Sequence, residues 1–322
     1  MTFLKNILAV LPGPGQHHLE KMVEAAHGNN IIFKAPSDVT QDDVDSANVL
    51  VGLVPVSFLH GQSSIEFMQL TSAGADAYVK EGLLSRSTVL SCCTGAYSQS
   101  VSEHAFAVTL MLLKKLHLYR DDQSECCWAD EGTTGTLNGA TVLVMGLGDI
   151  GRCYAKLVKT MGAHVIGIKR RPGEKPDFVD ELYTTDDFDC VVPRADIIFS
   201  VLPGSPATEH FFTLERFRLM KESAIFINCG RGNAVDGDVL YKVLSENIIS
   251  CAGVDVFENE PLDKSSPLWG LKNLVITPHA SGFFHLPVTK DRVIDICAQN
   301  LAAWLDGREI INIVDYETGY KI

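Results

Sequence analysis

The chain has no apolar run long enough to cross a bilayer. Its most apolar stretch, Ala105–Leu113, is cut off by Lys114 and Lys115, well short of the roughly 20 residues that a spanning helix needs. It has no Cys-x-x-Cys pair and no cysteine–histidine ladder at zinc spacing, so no metal site is expected. It has no excess of positive charge. Lys+Arg 27 against Asp+Glu 40 leaves a formal net charge of −13, which argues against nucleic acid or an anionic membrane as partner, because like charges repel. It has no low-complexity tract and no repeat at solenoid periods. The opening segment MTFLKNILAVLPGPG holds too short an apolar part for a secretory leader. The cysteines number nine, an odd count that includes the neighbours Cys92–Cys93 and Cys126–Cys127. This usage fits reduced thiols and a cytoplasmic protein.

What is present points to an α/β protein of more than one domain. A length of 322 residues is long for one core. Hydrophobic content of 46% and charged content of 21% are those of a globular chain. In the first hundred residues, short apolar runs at Ile7–Leu11, Ile31–Phe33, Val49–Val54, Phe67–Leu70 and Thr88–Cys92 alternate with polar, helix-like segments. His17–His27 has helical spacing, with Leu19, Met22, Val23 and Ala26 on one face. Such alternation implies a parallel sheet covered on both faces. Ser100 followed by Glu103 reads as a capping box that opens an almost wholly apolar helix. That helix is expected to be buried, in part against a second copy of the chain. DEGTTGTLNGA then reads as a loop. Strand-like runs resume at Thr141–Met145, His164–Ile168, Ile197–Leu202, Ala224–Asn228, Cys251–Val256 and Leu274–Thr277. About six strands suit a doubly wound dinucleotide-binding domain. A helix near Pro287–Leu305 leads to a short tail that is expected to pack on the first domain. The expected division is therefore residues 99–287 for the nucleotide domain, inserted between 1–98 and 288–322.

Gly146-x-Gly148-x-x-Gly151 follows one of these runs and opens a helix-like segment. Strand, glycine turn and helix together make a pyrophosphate site. The glycines allow a tight turn and close approach, and the helix N-terminus presents free N–H groups and partial positive charge. Arg152 stands just inside that helix and can reach a phosphate. The second strand of such a unit usually ends, about 20 residues on, in an acid for the adenosine ribose. Here it ends VIGIKRRP, so that position holds Ile168, Lys169 or Arg170 according to register. With Arg171 following, an anionic 2′-phosphate would meet cations and no carboxylate, and an arginine fork suits phosphate. The expected cofactor is NADPH, with NAD as the alternative.

Three later segments each place a chemically capable residue just past a strand-like run: Arg231 in INCGRGNAVD, Glu260 in GVDVFENEP and His279 in TPHASG. Ligands of open α/β sheets bind at those carboxyl ends. GLGDIGR, LPGSPATEH, INCGRGNAVD, GVDVFENEP and TPHASG occur in this order. Over essentially its whole length the chain resembles the D-isomer-specific 2-hydroxyacid dehydrogenases. LTSAGAD and GAYSQSVSEHAFAVTLML most resemble the glyoxylate/hydroxypyruvate reductase branch.

The resemblance implies two Rossmann-like domains, one flavodoxin-like and one dinucleotide-binding, with the active site in the cleft between them. It implies that Arg231 holds the carboxylate of a 2-keto acid, that His279 is the general acid, and that Glu260 orients its ring. Glu258 is a rival to Glu260, and His104 on the apolar helix is a rival to His279, read as a packing or interface residue. Ser72, Ala73 and Gly74 resemble the family's carboxylate-binding loop. Gly146, Gly148, Asp149, Ile150, Gly151 and Arg152 would line the pyrophosphate, with Lys169, Arg170 and Arg171 at the ribose. Leu202, Pro203 and Thr208 resemble the turn that borders the adenosine. Cys229, Gly230, Asp255 and Gly282 would lie near the nicotinamide, Cys229 through main chain and Asp255 at the carboxamide. One departure follows HASG, where the family often has small or hydroxyl residues and this chain has Phe283-Phe284-His285. These aromatics either narrow the pocket or pack at the domain hinge. The implied activity is reduction of small 2-keto acids to D-2-hydroxy acids by a homodimer. The alternatives are an NAD-linked enzyme for lactate- or phosphoglycerate-type acids, and a non-catalytic, cofactor-sensing scaffold.

Overall fold

A computed structural model describes residues 4–61 and 64–321. Two compact units emerge, Met1–Tyr97 with Phe284–Ile322, and Ser98–Phe283. The first begins with strand β1 (Asn6–Val10), helix α1 (Gln16–Ala25), β2 (Asn30–Lys34), helix α2 (Gln41–Asp45), β3 (Val49–Gly52), β4 (Phe67–Gln69) and β5 (Val89–Ser91). The five strands form one parallel sheet in the order β2-β1-β3-β4-β5, which is the flavodoxin-like order. Alternate residues serve opposite faces. Leu8, Val10, Leu50 and Met68 enter one core with Val44 and Tyr78. Ile7, Ala9, Val51 and Phe67 enter the other with Met22 and Ala25 of α1.

The apolar pattern puts Leu19, Met22, Val23 and Ala26 inward, but the structure turns α1 slightly. It buries His18, Met22, Ala25 and Ala26 and exposes Val23. The cause is a polar residue with its bonds satisfied. His18 Nδ1 accepts the Gly15 N–H at 3.0 Å, and Nε2 donates to Asp291 at 2.9 Å. Burying a polar group costs little once it is hydrogen-bonded.

The second unit opens with α3 (Ser98–Leu113) and α4 (Leu116–Ser124). Because α3 starts at Ser98, Ser100 lies inside it and is no capping box. Its hydroxyl donates instead to the Ser281 carbonyl at 2.7 Å, and Glu103 accepts from Gln99 at 2.8 Å. Only part of α3 is buried, at Val101, Ala105, Val108, Thr109 and Leu112. Phe106, Leu110, Met111 and Leu113 stay half-buried.

Then follow β6 (Thr141–Met145), α5 (Asp149–Thr160), β7 (His164–Lys169), β8 (Glu181–Thr184), α6 (Phe188–Val191), β9 (Ile197–Ser200), α7 (Leu214–Arg218), β10 (Ile225–Asn228), α8 (Gly237–Ser245), β11 (Cys251–Val254) and β12 (Leu274–Ile276). The sheet is parallel throughout, with the order β12-β11-β10-β9-β6-β7-β8. It has seven strands, not six. The extra one, β8, is a half-buried edge strand, so its sequence ELYT carries no apolar run. The order reverses between β6 and β9, the place where doubly wound sheets take ligands. On one face Phe188, Phe211, Phe212, Phe217 and Phe226 pack edge to face or tilted, geometry that aromatic rings favour.

The chain returns to the first unit in α9 (Pro287–Leu305), whose Val293, Ile294, Cys297 and Leu301 join the α1 core. The hairpin of β13 (Val314–Asp315) and β14 (Tyr320–Lys321) completes it, with Val314 buried against the sheet. No helix among the described residues is long and apolar enough to cross a membrane.

Candidate active site

Arg231, Glu260 and His279 follow three adjacent strands, β10, β11 and β12. Glu260 and His279 are in direct contact, with Glu260 Oε2 2.7 Å from His279 Nδ1. The other oxygen of Glu260 accepts the Phe257 N–H at 2.9 Å, so the carboxylate is fixed on its own turn. An accepting carboxylate puts a proton on Nδ1 and leaves Nε2 as the working nitrogen of the ring.

Asp255 builds the loop that carries His279. Its buried carboxylate accepts from Thr277 Oγ1 at 2.5 Å, Ala280 N at 2.8 Å and Ser281 N at 3.1 Å, and its carbonyl accepts the His279 N–H at 2.7 Å. His279 thereby sits in the left-handed region at φ 52°, which non-glycine residues seldom occupy. His104 supports the same loop, with Nε2 3.1 Å from Thr277 Oγ1. It is a packed residue within this unit.

Arg231 leaves β10 half-buried, with Nη1 donating to the Gly230 carbonyl at 3.0 Å. The next residue has to be glycine. A Cβ at Gly232 would lie 1.9 Å from the Phe257 carbonyl carbon, so the Arg231 loop lies backbone to backbone against the Glu260 turn. Cys229 is buried, and burial pushes its thiol well up, which leaves it unreactive. Its N–H donates to Ser200. Gly230 N donates to Asn228 at 3.1 Å.

The residues fit a dinucleotide. Gly146 has φ +99°, and a Cβ on Gly151 would stand 1.9 Å from the Gly146 carbonyl oxygen. The turn thus closes tightly on α5, whose first residues are Asp149 and Ile150 and whose N-cap is Gly148. Arg152 is exposed and lies over the Phe178 ring at 5.5 Å. Ile168 is fully buried in the core, so Lys169 ends β7, with Arg170 and Arg171 exposed beyond it. Leu202 is buried. The turn after it is closed by Thr208 Oγ1 donating to Pro203 at 2.6 Å. Gly282 accepts from Ser100 Oγ at 3.3 Å.

Ser72, Ala73 and Gly74 belong to the first unit, after β4. Their carbonyls are tied down, Ser72 by Cys93 N at 2.8 Å and Gly74 by Ser72 Oγ at 2.6 Å. Among the described residues their amides have no protein partner. A row of open amides is an anion-binding arrangement.

The two aromatics after HASG part company. Phe284 enters the first unit's core, beside Tyr97 at 6.2 Å. Phe283 is half exposed, with its ring 5.8 Å from that of His279. Sequence reasoning missed a second contact. Glu258, the rival carboxylate, pairs with His210 at 2.8 Å. LPGSPATEH contained that histidine, but no sequence spacing connects it to Glu258.

A parallel sheet with a glycine turn at its switch point, and a histidine–carboxylate pair on neighbouring strand ends, defines a dinucleotide-dependent oxidoreductase. Residues 106–281 match the model for the D-isomer specific 2-hydroxyacid dehydrogenase, NAD binding domain, and the chain belongs to that family. Its relatives include a probable 2-ketogluconate reductase of Dictyostelium discoideum, 31% identical over 282 residues, covering 84% of this chain and 83% of that one. A glyoxylate reductase/hydroxypyruvate reductase of Homo sapiens is 37% identical over 174 residues, 53% and 52% of the two chains. A solved family member from Aeromonas salmonicida subsp. salmonicida superposes with TM-score 0.83 at 31% identity, covering 97% and 99% of the two chains. The chain is thus an NAD(P)-dependent enzyme acting on CH–OH groups of small 2-hydroxy acids, or on the matching 2-keto acids.

Proposed function

We propose that this enzyme reduces small 2-keto acids of the glyoxylate and hydroxypyruvate type to D-2-hydroxy acids, with NADPH preferred. The carrying observation is the 2.7 Å contact between Glu260 and His279 on strands adjacent to the one that presents Arg231. Reduced nicotinamide, when bound, supplies hydride to the ketone carbon. The carbonyl π pair moves to oxygen, and His279 Nε2 delivers the proton that makes the hydroxyl. Glu260 holds the ring, with its charge beside the imidazolium. Arg231 binds the substrate carboxylate and polarises the ketone through its fixed donors. The open amides at Ser72–Gly74 of the first unit are a further candidate for binding a carboxylate.

The cofactor preference rests on the strand end at Lys169, Arg170 and Arg171, where a 2′-phosphate meets cations and no carboxylate. Asp255 borders the nicotinamide while holding the His279 loop. We further propose a cytoplasmic homodimer joined along α3, whose Phe106, Leu110 and Met111 are left half-covered. A panel of small 2-keto acids with NADPH and with NADH, followed by cofactor absorbance, tests the reading. Turnover of glyoxylate or hydroxypyruvate faster with NADPH is expected. Preference for NADH, or for lactate- or phosphoglycerate-type acids, would replace it with the NAD-linked reading. Tight cofactor binding without any turnover would favour a sensing scaffold.

A further inference from the structure

The turn that carries Glu260 anchors Phe257 and Leu262 on the second unit's core, and its tip, Glu258 and Asn259, is exposed. Phe257, Glu258, Asn259 and Leu262 roof a crevice of about 170 Å³. Exposed side chains lack the packing that fixes those in a core. Beside the Gly232 backbone packed against Phe257 and Glu258, His210 provides a side-chain contact to this tip. Its Nε2 lies 2.8 Å from Glu258 Oε1, two residues before Glu260.

His210 is itself held firmly. Its N–H donates to the Asn233 carbonyl at 2.7 Å, and Phe212 N donates to Ala234 at 3.0 Å. Both acceptors lie in the loop that starts with Arg231. Phe211 and Phe212 are sunk in the phenylalanine cluster, and Arg216 binds the Phe211 carbonyl at 2.9 Å. His210 adopts φ +46°, an uncommon conformation that histidine tolerates better than most residues. It is one clamp between the Arg231 loop and the Glu260 turn. The surroundings favour its charged form. The Glu258 hydrogen bond acts first, and Glu258, Asp236 and Glu209 add negative charge, so the imidazole titrates above its ordinary value.

We propose that His210 and Glu258 form a positioning pair that sets the Glu260 carboxylate against His279 and keeps it in register with Arg231. The pair touches neither substrate nor cofactor. The proposal rests on the roles given above to Arg231, Glu260 and His279, but one of its readouts does not depend on them.

The test compares the wild-type enzyme with His210→Ala, Glu258→Ala, the double variant and His210→Gln, which keeps a donor near the Nε2 position. Hydrogen–deuterium exchange is read over residues 256–261. The expected result is faster exchange in both alanine variants and wild-type exchange in His210→Gln. In glyoxylate reduction, kcat is expected to fall about tenfold in each alanine variant, because small displacements of catalytic groups are costly. The double variant is expected to be no slower than either single, as for two residues acting through one bond. The KM for glyoxylate and the Kd for NADPH should stay within about twofold, and His210→Gln should recover most of kcat. Wild-type exchange in both alanine variants would overturn the proposal. So would a kcat loss as large in His210→Gln as in His210→Ala. Should His210→Ala fail to fold, Glu258→Ala reads the same bond from its other end. A wild-type enzyme that reduces no 2-keto acid would remove the proposed function, and the exchange data would still decide whether His210 holds the turn.

Discussion

At the scale of single residues, the candidate site divides into groups proposed for chemistry and groups that hold them. Asp255 spends its buried carboxylate on the backbone around His279, and Gly232 brings two loops within contact by having no side chain. Phe283 belongs to neither group. Its ring lies beside the His279 imidazole and is half exposed, and with His279 in its proposed role it would limit the room for a substrate side chain. Phe283→Ala should raise kcat/KM for a branched 2-keto acid relative to glyoxylate by about tenfold, the scale of one or two methylene-sized contacts in a pocket. Steady-state rates with 2-ketoisovalerate and glyoxylate check this, and an unchanged ratio would place Phe283 outside the pocket. The places of Arg231, Glu260 and His279 at adjacent strand ends were readable from sequence because each stands just past an apolar run. The His210–Glu258 pair was not, because a contact between two loops leaves no period in the chain.

At the scale of elements, apolar runs marked the central strands and the edge strands β2, β5 and β12, and failed at the edge strand β8. β8 has neighbours on one side only and keeps polar residues, so its sequence reads as a turn. Beside its pairing with β7, side-chain charge ties it down. Glu181 accepts from Arg194 at 2.9 Å and is 2.7 Å from His164 Nε2. The Arg194 guanidinium, then His164 and Tyr183, lower its carboxyl from 4.5 to about 2. A lowered folded-state value means stability that is present above the unfolded value and lost as pH falls towards the folded one. Glu181→Gln should therefore lower Tm by about 1–3 °C at pH 7, the size expected of a partly exposed ion pair. The gap should close between pH 4.5 and about 2. Thermal melts across that range check it, and a gap that persists at pH 2 would assign the effect to shape and not to charge. The Ser100–Glu103 signal misled for a different reason. The same residue types serve as caps and as tertiary donors, and Ser100 is a tertiary donor to Ser281.

At the scale of the whole molecule, two parallel sheets with orders 2-1-3-4-5 and, counted within the second unit, 3-2-1-4-5-6-7 set strand ends where ligand chemistry belongs. The glycine turn, the cationic end of β7 and the Glu260–His279 pair lie on one such sheet, and the open amides of Ser72–Gly74 on the other. An alternating pattern of runs is enough to announce this architecture in the sequence. Strand order is not, because it depends on which runs pair. The central proposal is His279 as the proton donor to a ketone reduced by the cofactor. The most direct measurement is the single-turnover rate of NADPH oxidation by glyoxylate in wild-type enzyme and in His279→Ala, with NADPH affinity read by fluorescence on the same samples. The account predicts a loss of at least 100-fold in rate, about the low end for a general acid, with cofactor affinity unchanged. A His279→Ala enzyme that turns over at a near-normal rate would contradict it.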